Sequence, residues 1–440
     1  MKIVIAGGTG HLGVALTEYF QNQNHDVVVL SRRGKSKARL VAWDGVELGS
    51  WINEIEGASI IINLAGRSVD CRYTARNLKQ MMDSRVDSTR VIGEAIAQSK
   101  NPPNLWLQMS TATIYSHRFD QTNDEITGIL GGHESDVPKY WRNSIEIAKC
   151  WEKTLFESKT PSTRKVALRS AMVMGPDPKS VFGVLSKMTK LGLGGSIAGG
   201  EQFVSWIHEK DFLRAIDFII KHKEIHGSIN LCAPDPIPQK AFMKQLRQAL
   251  HVRIGLPSTS WMAEIGAFIL RTDTELLLKS RRVVPTILLR AGFKFLFPTW
   301  QLASADLVQL PMKIIFFDGY CSLCNGFVDW AMKRDKKCQF KFASLQGEAA
   351  KLYLKETRYL TEINTIVYFN NGQLDDRASA VLHFLDDLGG FWKISKILMM
   401  LPISLQNFIY NKISKNRYKL FKKRDTCRLP NADERDRLLN

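Results

Sequence analysis

Residues Gly7-Gly8-Thr9-Gly10-His11-Leu12-Gly13 decide the fold. An apolar run, Ile3-Val4-Ile5-Ala6, precedes them and reads as a buried parallel strand, while Val14 to Phe20 follows and reads as a helix. A strand, a glycine loop and a helix in that order aim unpaired backbone N–H groups and the positive end of a helix dipole at one point, which suits a diphosphate. Gly7 serves the tight turn, Gly10 lets the backbone approach a ligand, and Gly13 lets the helix lie close on the strand. The spacing G-x-x-G-x-x-G also suits a purely structural strand-to-helix turn, so the surrounding sequence has to arbitrate.

A second strand, Asp26-Val27-Val28-Val29-Leu30, lies at the distance a strand-helix-strand unit requires, and it ends in Ser31-Arg32-Arg33. An NAD site places Asp or Glu there for the ribose 2′-hydroxyl, whereas a hydroxyl and two guanidinium groups suit a 2′-phosphate. The expected cofactor is therefore NADP(H), bound by Gly7, Thr9, Gly10, His11, Leu12 and Gly13 of the loop and by Ser31, Arg32 and Arg33. Read alone, Arg32 and Arg33 equally fit a solvated basic loop. Ala58 to Gly66 reads as a third strand whose end, Asn63-Leu64-Ala65-Gly66, lies beside the cofactor edge of the sheet. A helical stretch from Leu78 to Ser99 and a strand from Leu105 to Met109 continue the alternation of a doubly wound α/β sheet.

With 440 residues the chain exceeds one ordinary domain, and hydrophobic residues at 45% with charged residues at 24% predict a sizeable globular core. A formal net charge of +18 favours anionic ligands or surfaces without choosing among them. No nucleic-acid module such as a zinc knuckle is present, which leaves phosphate-bearing small molecules as the simpler partner. The first residues form the strand that feeds the glycine loop rather than a signal peptide, and no run reaches the roughly 18 apolar residues of a membrane span. A cytoplasmic location is expected. Seven cysteines in a long chain argue against a secreted disulfide framework, and only Cys321 and Cys324 form a C-x-x-C pair.

Asn63 to Gly66, Arg72-Tyr73-Thr74 leading to Asp83-Ser84-Arg85-Val86, the Gly192 to Gly195 loop and Trp206-Ile207-His208 resemble the epimerase-like atypical branch of the extended short-chain dehydrogenases. The run Ile229 to Pro236 and the stretch from Pro285 to Phe293 share the resemblance, which covers residues 1 to 303. It implies an NADP(H)-binding Rossmann-type sheet with a small substrate lobe built largely after Gly175, and a small carbonyl or sugar-like substrate. It also implies that Thr111 matches the catalytic hydroxyl and that Trp206 and His208 line the substrate side. Alternatively, His208 and Asp211 only cap and brace the helix that follows them. The superfamily pairs a Tyr with a Lys four residues on, so that Lys lowers the Tyr pKa and holds the ribose. Here Ser144 occupies that place after Tyr140, and Lys149 falls on a different helix face. The atypical branch commonly lacks the pair and carries a Trp-Glu such as Trp151-Glu152.

Periodicity fades between Phe297 and Met312, which predicts a linker over 304–311 and a second domain over 312–440. Met312 to Phe317 reads as a strand that delivers Asp318-Gly319-Tyr320-Cys321-Ser322-Leu323-Cys324 to a helix. A helix N-terminus stabilises a thiolate, and a second Cys three residues on can resolve a mixed disulfide. Cys321 is expected to attack and to be the more exposed, Cys324 to resolve, and Asp318 to oppose the thiolate. A zinc site would need two further ligands from among Cys338, His383 and Cys427, and no metal is expected. This stretch, Thr365 to Phe369, Ala378 to Leu382 and Asn416-Arg417-Tyr418 resemble the DCC family of thiol-disulfide oxidoreductases, which implies a thioredoxin-like α/β domain and a disulfide-bearing protein or small thiol as partner. No proline precedes Thr365, where thioredoxin itself has one facing the cysteines. The basic tail from Lys412 to Arg424, after the apolar stretch Phe391 to Tyr410, fits either a solvated helix packed by its apolar face or a contact with an anionic membrane. The sequence thus reads as a fusion of an NADP(H)-dependent reductase or epimerase-like domain with a thiol-disulfide exchange domain. The alternative is a non-catalytic NADP(H)-binding redox sensor.

Overall fold

The computed structural model describes residues 1–32, 34, 36–135, 137–259, 261–262, 275–308, 313–335, 339–354, 365–370, 373–420, 434 and 437–439. The chain divides into two compact units, Met1–Val308 and Gln309–Asn440.

In the first unit, seven strands form one parallel sheet: β1 (Lys2–Ala6), β2 (Asp26–Ser31), β3 (Arg39–Ala42), β4 (Ile60–Asn63), β5 (Leu105–Thr111), β6 (Arg164–Ser170) and β7 (Gly227–Leu231). Their order is β3-β2-β1-β4-β5-β6-β7, with every neighbouring pair parallel. This is the doubly wound Rossmann-type arrangement that the sequence predicts. The strands are apolar at successive positions because both faces are covered. Ile3, Ile5, Val27, Val29, Ile60 and Ile62 pack on one side, where Phe212, Ile216 and Ile219 of a helix meet them. Val4, Ala6, Val28, Leu30, Ile61 and Trp106 pack on the other, against Val91, Ile92, Ala95 and Ile96.

The helices that matter for the site are α1 (His11–Gln21), α2 (Ala75–Gln98), α3 (Trp141–Glu157) and α4 (Glu209–Lys221). The chain order reverses direction across the sheet between β1 and β4, so the glycine loop leaving β1 and the Asn63–Gly66 segment leaving β4 flank one crevice at the strands' carboxyl ends. The small lobe comes from later chain, with Phe242, Met243, Leu246, Trp300, Ala303 and Leu307 in its core. Here the expected boundary needs correction. Helix Trp300–Leu307 continues the first unit past residue 303, because its apolar residues complete that core, and residues 304–307 are therefore not linker.

The second unit holds a five-stranded sheet of β8 (Lys313–Phe317), β9 (Phe340–Ser344), β10 (Val367–Asn370), β11 (Gln373–Asp376) and β12 (Leu438–Leu439), ordered β11-β10-β8-β9-β12. β8 and β9 are parallel and joined across α5 (Ser322–Arg334), while β10 and β11 run antiparallel as a hairpin before α6 (Arg377–Leu388). That β-α-β unit followed by a hairpin and a helix is the thioredoxin-like arrangement. A long helix, α7 (Ile403–Leu420), follows a short helix, Ser395–Met399. Among the described residues, no helix is long and apolar enough to cross a membrane.

Candidate functional site

The glycine loop is shaped by contacts that exclude side chains. A Cβ on Gly13 would lie 2.4 Å from the Gly8 Cα, and one on Gly7, at φ +74°, would lie 2.9 Å from the Ala65 backbone. Gly10 differs. Its Cβ would meet only the Gly7 carbonyl at 3.9 Å, so internal packing does not require glycine there and the space beside it is open to a ligand. Gly10 is also the N-cap of α1 and supplies no side-chain cap, which leaves the helix N-terminus to an anion. The Thr9 and Ser31 hydroxyls lie 2.8 Å apart and tie this loop to the end of β2. Arg32 beside them is exposed, and Arg33 lies outside the described residues. Leu12 and Leu64 pack on the core below. Asn63, fully buried, donates to Gln108 Oε1 at 3.0 Å and accepts the Ala65 N–H at 3.0 Å, which fixes the turn that runs into Gly66.

His11 reaches the small lobe. Its Nε2 is 2.8 Å from Glu209 Oε2 in the first turn of α4, and its Nδ1 is 3.4 Å from Asp177 Oδ2. The Glu209 hydrogen bond raises the His11 pKa above its ordinary 6.5, against a smaller opposing effect of burial. The raised folded-state value means that this contact stabilises fully below about pH 6.5 and is lost as pH rises through the higher folded value. A histidine-resolved NMR titration should accordingly place His11 above 6.5, and a midpoint at or below 6.5 would contradict the ion pair.

On the other side of the crevice, Thr111 ends β5 half-buried, with its Oγ1 accepting the Thr113 N–H at 3.1 Å. Tyr140 stands exposed just before α3, and Ser144, one turn on, donates to Glu275 Oε2 at 2.6 Å. Lys149 pairs with Glu146 at 3.3 Å along the helix surface. Glu275 connects instead to a lysine that sequence reasoning missed: Lys279 Nζ is 3.8 Å from Glu275 Oε1 and donates to the Thr113 carbonyl at 2.8 Å. Burial, with Arg281 adding to it, pushes Lys279 down to about 8. Arg281 donates to Thr113 Oγ1 at 3.2 Å. A buried cation pair thus stands behind the turn that carries Thr111. Its sequence signal was the basic run Lys279 to Arg282 within an otherwise apolar stretch.

Trp151 and Glu152 take structural parts. Trp151 Nε1 donates to Thr89 in α2 at 3.0 Å, and the Arg85 guanidinium lies 4.9 Å from its ring centroid. Glu152 accepts two bonds from Arg169, at 2.9 and 2.8 Å, and one from Ser110 at 2.6 Å, while Arg169 also donates to the Tyr115 hydroxyl at 2.9 Å. The substrate-side expectation for Trp206 and His208 needs correction. Trp206 is fully buried, 5.1 Å from the Trp300 ring, and His208 is stacked on Phe297 at 3.9 Å. His208 Nδ1 caps α4 by accepting the Lys210 N–H, and its Nε2 is 3.2 Å from Asp306. Asp211, also fully buried, accepts the Leu296 and Phe297 N–H groups at 2.9 and 2.8 Å. Apolar neighbours pull both rings into the lobe's core, and the polar groups brace it.

In the second unit Cys321 is the N-cap of α5, and its Sγ accepts the Cys324 N–H at 3.4 Å. Both thiols are free, and both are buried, at 0% and 5% exposure. The expectation that Cys321 is the more exposed is therefore corrected: both cysteines are part of the core cluster with Phe317, Val328 and Tyr368. Burial, followed by the hydrogen bond and charge of Cys321, pushes the Cys324 thiol up, while Arg417 pulls it back. Asp318 itself is held in place: Arg417 Nη2 lies 3.1 Å from Asp318 Oδ2, and Gln346 donates to Asp318 Oδ1 at 3.1 Å. Asn325 donates to the Gly319 and Cys321 carbonyls and locks the loop. Where thioredoxin has its proline, the Ile366 N–H donates to the Tyr410 hydroxyl at 2.9 Å. Cys338 and Cys427 lie outside the described residues, and no metal-binding cluster occurs among the described ones.

Residues 3–232, more than half of the chain, match the NAD dependent epimerase/dehydratase family. The chain belongs to that family. Residues 260–307 match a domain of unknown function, DUF1731, and residues 315–423 match the DCC1-like thiol-disulfide oxidoreductases, so the family's fold here carries a DCC1-like domain behind it. Epimerase family protein YfhF of Bacillus subtilis is 27% identical over 315 residues, spanning 70% of this chain and 98% of that protein. Epimerase family protein SDR39U1 of Homo sapiens is 28% identical over 313 residues, 70% of this chain and 100% of the relative. The crystal structure of human SDR39U1 (isoform 2) with NADPH superposes with a TM-score of 0.62 at 25% identity, covering 70% of this chain and 99% of that one.

Proposed function

We propose that the first unit is an NADP(H)-dependent reductase or epimerase-like enzyme for a small carbonyl or sugar-like substrate, and that the second exchanges disulfides. The observation that carries the cofactor reading is the open space at Gly10 beside an uncapped helix N-terminus, with the Thr9 and Ser31 hydroxyls paired next to it, Arg32 exposed after Ser31, and no acidic residue at the end of β2. The human relative solved with NADPH supports it. The loop residues and Asn63–Gly66 would hold the dinucleotide, which supplies hydride chemistry when bound. Thr111 would donate its hydroxyl hydrogen to a substrate oxygen while its oxygen accepts the Thr113 N–H. Lys279 and Arg281 hold the turn after Thr111 in place.

The sensor reading draws on one observation: Ser144 stands where a lysine would serve Tyr140, and it is engaged by Glu275. A screen of small carbonyls and nucleotide sugars, read as NADPH consumption or epimer formation, separates the two. Turnover of any substrate that is lost in Thr111→Val supports the enzyme. Tight NADPH binding with no turnover across the screen supports the sensor.

For the second unit, the Cys321 thiolate attacks a substrate disulfide, the substrate S–S bond breaks, and the departing thiolate takes a proton. Cys324 then attacks the Cys321 sulfur, forming the Cys321–Cys324 disulfide and releasing the second substrate thiol, so that two electrons pass to the substrate. The raised Cys324 thiol and the N–H bond to the Cys321 sulfur support this order of roles. Cys324→Ser should accumulate mixed disulfides that Cys321→Ser does not, as seen on non-reducing gels; the reverse pattern would exchange the two assignments.

A further inference from the structure

Helix α7 is oriented opposite to an ordinary surface helix. Asn407, Tyr410, Asn411, Ser414 and Arg417 recur at helical spacing and form its more buried face, where Tyr410 and Arg417 complete the surroundings of the cysteine pair. The apolar residues are left outside: Ile403 is 63% exposed, Phe408 65%, Ile409 50% and Ile413 55%. The preceding turn and short helix add Phe391, Ile394, Ile397 and Met400, which range from 51% to 85% exposed. Among the described residues of the second unit, every strongly exposed large apolar side chain falls between Phe391 and Ile413. The face is therefore one contiguous stretch of chain rather than scattered residues, and such patches mark interaction surfaces. The expected alternative in which the apolar face packs inward fails on these exposures.

Charge decides among occupants. From Gly389 to Arg424 the sequence contains no Asp or Glu, while Lys393, Lys412 and Lys415 are exposed around the apolar residues. Lys396 is exposed as well, 3.6 Å from Asp386. A protein partner or a second copy would have to bury these lysines or match them with acids. A bilayer surface accommodates both features at once, with apolar side chains among the acyl chains and lysines at the headgroups. We propose that the face from Phe391 to Lys415 docks the thiol-disulfide unit peripherally on an anionic lipid bilayer.

Vesicle co-sedimentation of the full chain tests this, using phosphatidylcholine alone and phosphatidylcholine mixed with phosphatidylglycerol. The expected result is sedimentation with the anionic vesicles, weakened by salt, and little with the neutral ones. Phe391→Ser/Met400→Ser/Phe408→Ser should stay in the supernatant while keeping the parent's circular dichroism and thermal transition. Lys393→Gln/Lys412→Gln/Lys415→Gln should weaken partition on the order of a hundredfold, at roughly fivefold per lysine. A parent protein that ignores anionic vesicles, or an apolar triple variant that sediments like the parent, overturns the proposal. It is overturned equally if the parent dimerises without lipid and the apolar triple variant is monomeric, which would assign the face to a second copy.

Discussion

Gly13→Ala is expected to weaken NADPH binding roughly ten- to hundredfold and to lower stability, whereas Gly10→Ala is expected to weaken binding alone. The Cβ at position 13 overlaps the Gly8 backbone at 2.4 to 2.5 Å, and neither backbone can yield as a side chain would. Overpacking of this kind costs about 1–3 kcal/mol. Moving α1 off β1 also withdraws its N–H groups from the diphosphate, and charge-assisted hydrogen bonds of that type contribute about 1.5–3 kcal/mol. At position 10 the nearest atom is the Gly7 carbonyl at 3.9 Å and the backbone is at φ −77°, which alanine adopts without strain. Its methyl group would occupy only the ligand's space. Isothermal titration with NADPH and a thermal melt of each variant distinguish the two effects. Unchanged affinity in Gly10→Ala would mean that the ligand does not approach there.

The largest stability effect is expected from Glu152→Ala. Arg169 is buried, at 9% exposure, and its carboxylate partner among the described residues is Glu152, which also receives Ser110 and Ser228. Removing one member of a buried pair strands the other, at about 3–5 kcal/mol. These bonds join β5, β6, β7 and α3 near the end of β5 that carries Thr111. Urea unfolding should show an earlier midpoint with little change of slope. The double replacement Glu152→Leu/Arg169→Met should recover most of the loss, because the pair itself contributes little beyond well-packed apolar residues. A loss under about 1 kcal/mol in the single variant would mean that water reaches Arg169.

The glycine loop, the strands and the C-x-x-C pair were legible in the sequence because their constraints are local. Gly13 is demanded by a neighbour five residues away, and strands covered on both faces become unbroken apolar runs such as Ile60-Ile61-Ile62. What escaped were contacts between distant residues. Ser144 meets Glu275 across 131 positions, and Arg417 meets Asp318 across 99, so neither partnership leaves a spacing signal. His208 misled for another reason. A histidine between a tryptophan and an aspartate has the composition of a site, but the Phe297 ring beside it comes from a segment 89 residues on, and that stacking draws it inward. Helix α7 shows a third limit. Periodicity reveals two faces, yet burying the polar one depends on Asp318 and Ile366 waiting to receive it.

A titration of the purified full chain with NADPH and with NADH, repeated on Arg32→Ala/Arg33→Ala, tests the cofactor preference of the first unit directly. Ser31 and Arg32 stand where an NAD site carries an acidic residue, and a charge-assisted phosphate contact contributes about 1.5–3 kcal/mol, or roughly tenfold and upwards in affinity. NADPH should bind at least about tenfold more tightly than NADH, and the double variant should lose most of that preference. Equal affinities for the two dinucleotides in the unmodified protein, or binding of neither, would contradict the NADP(H) reading.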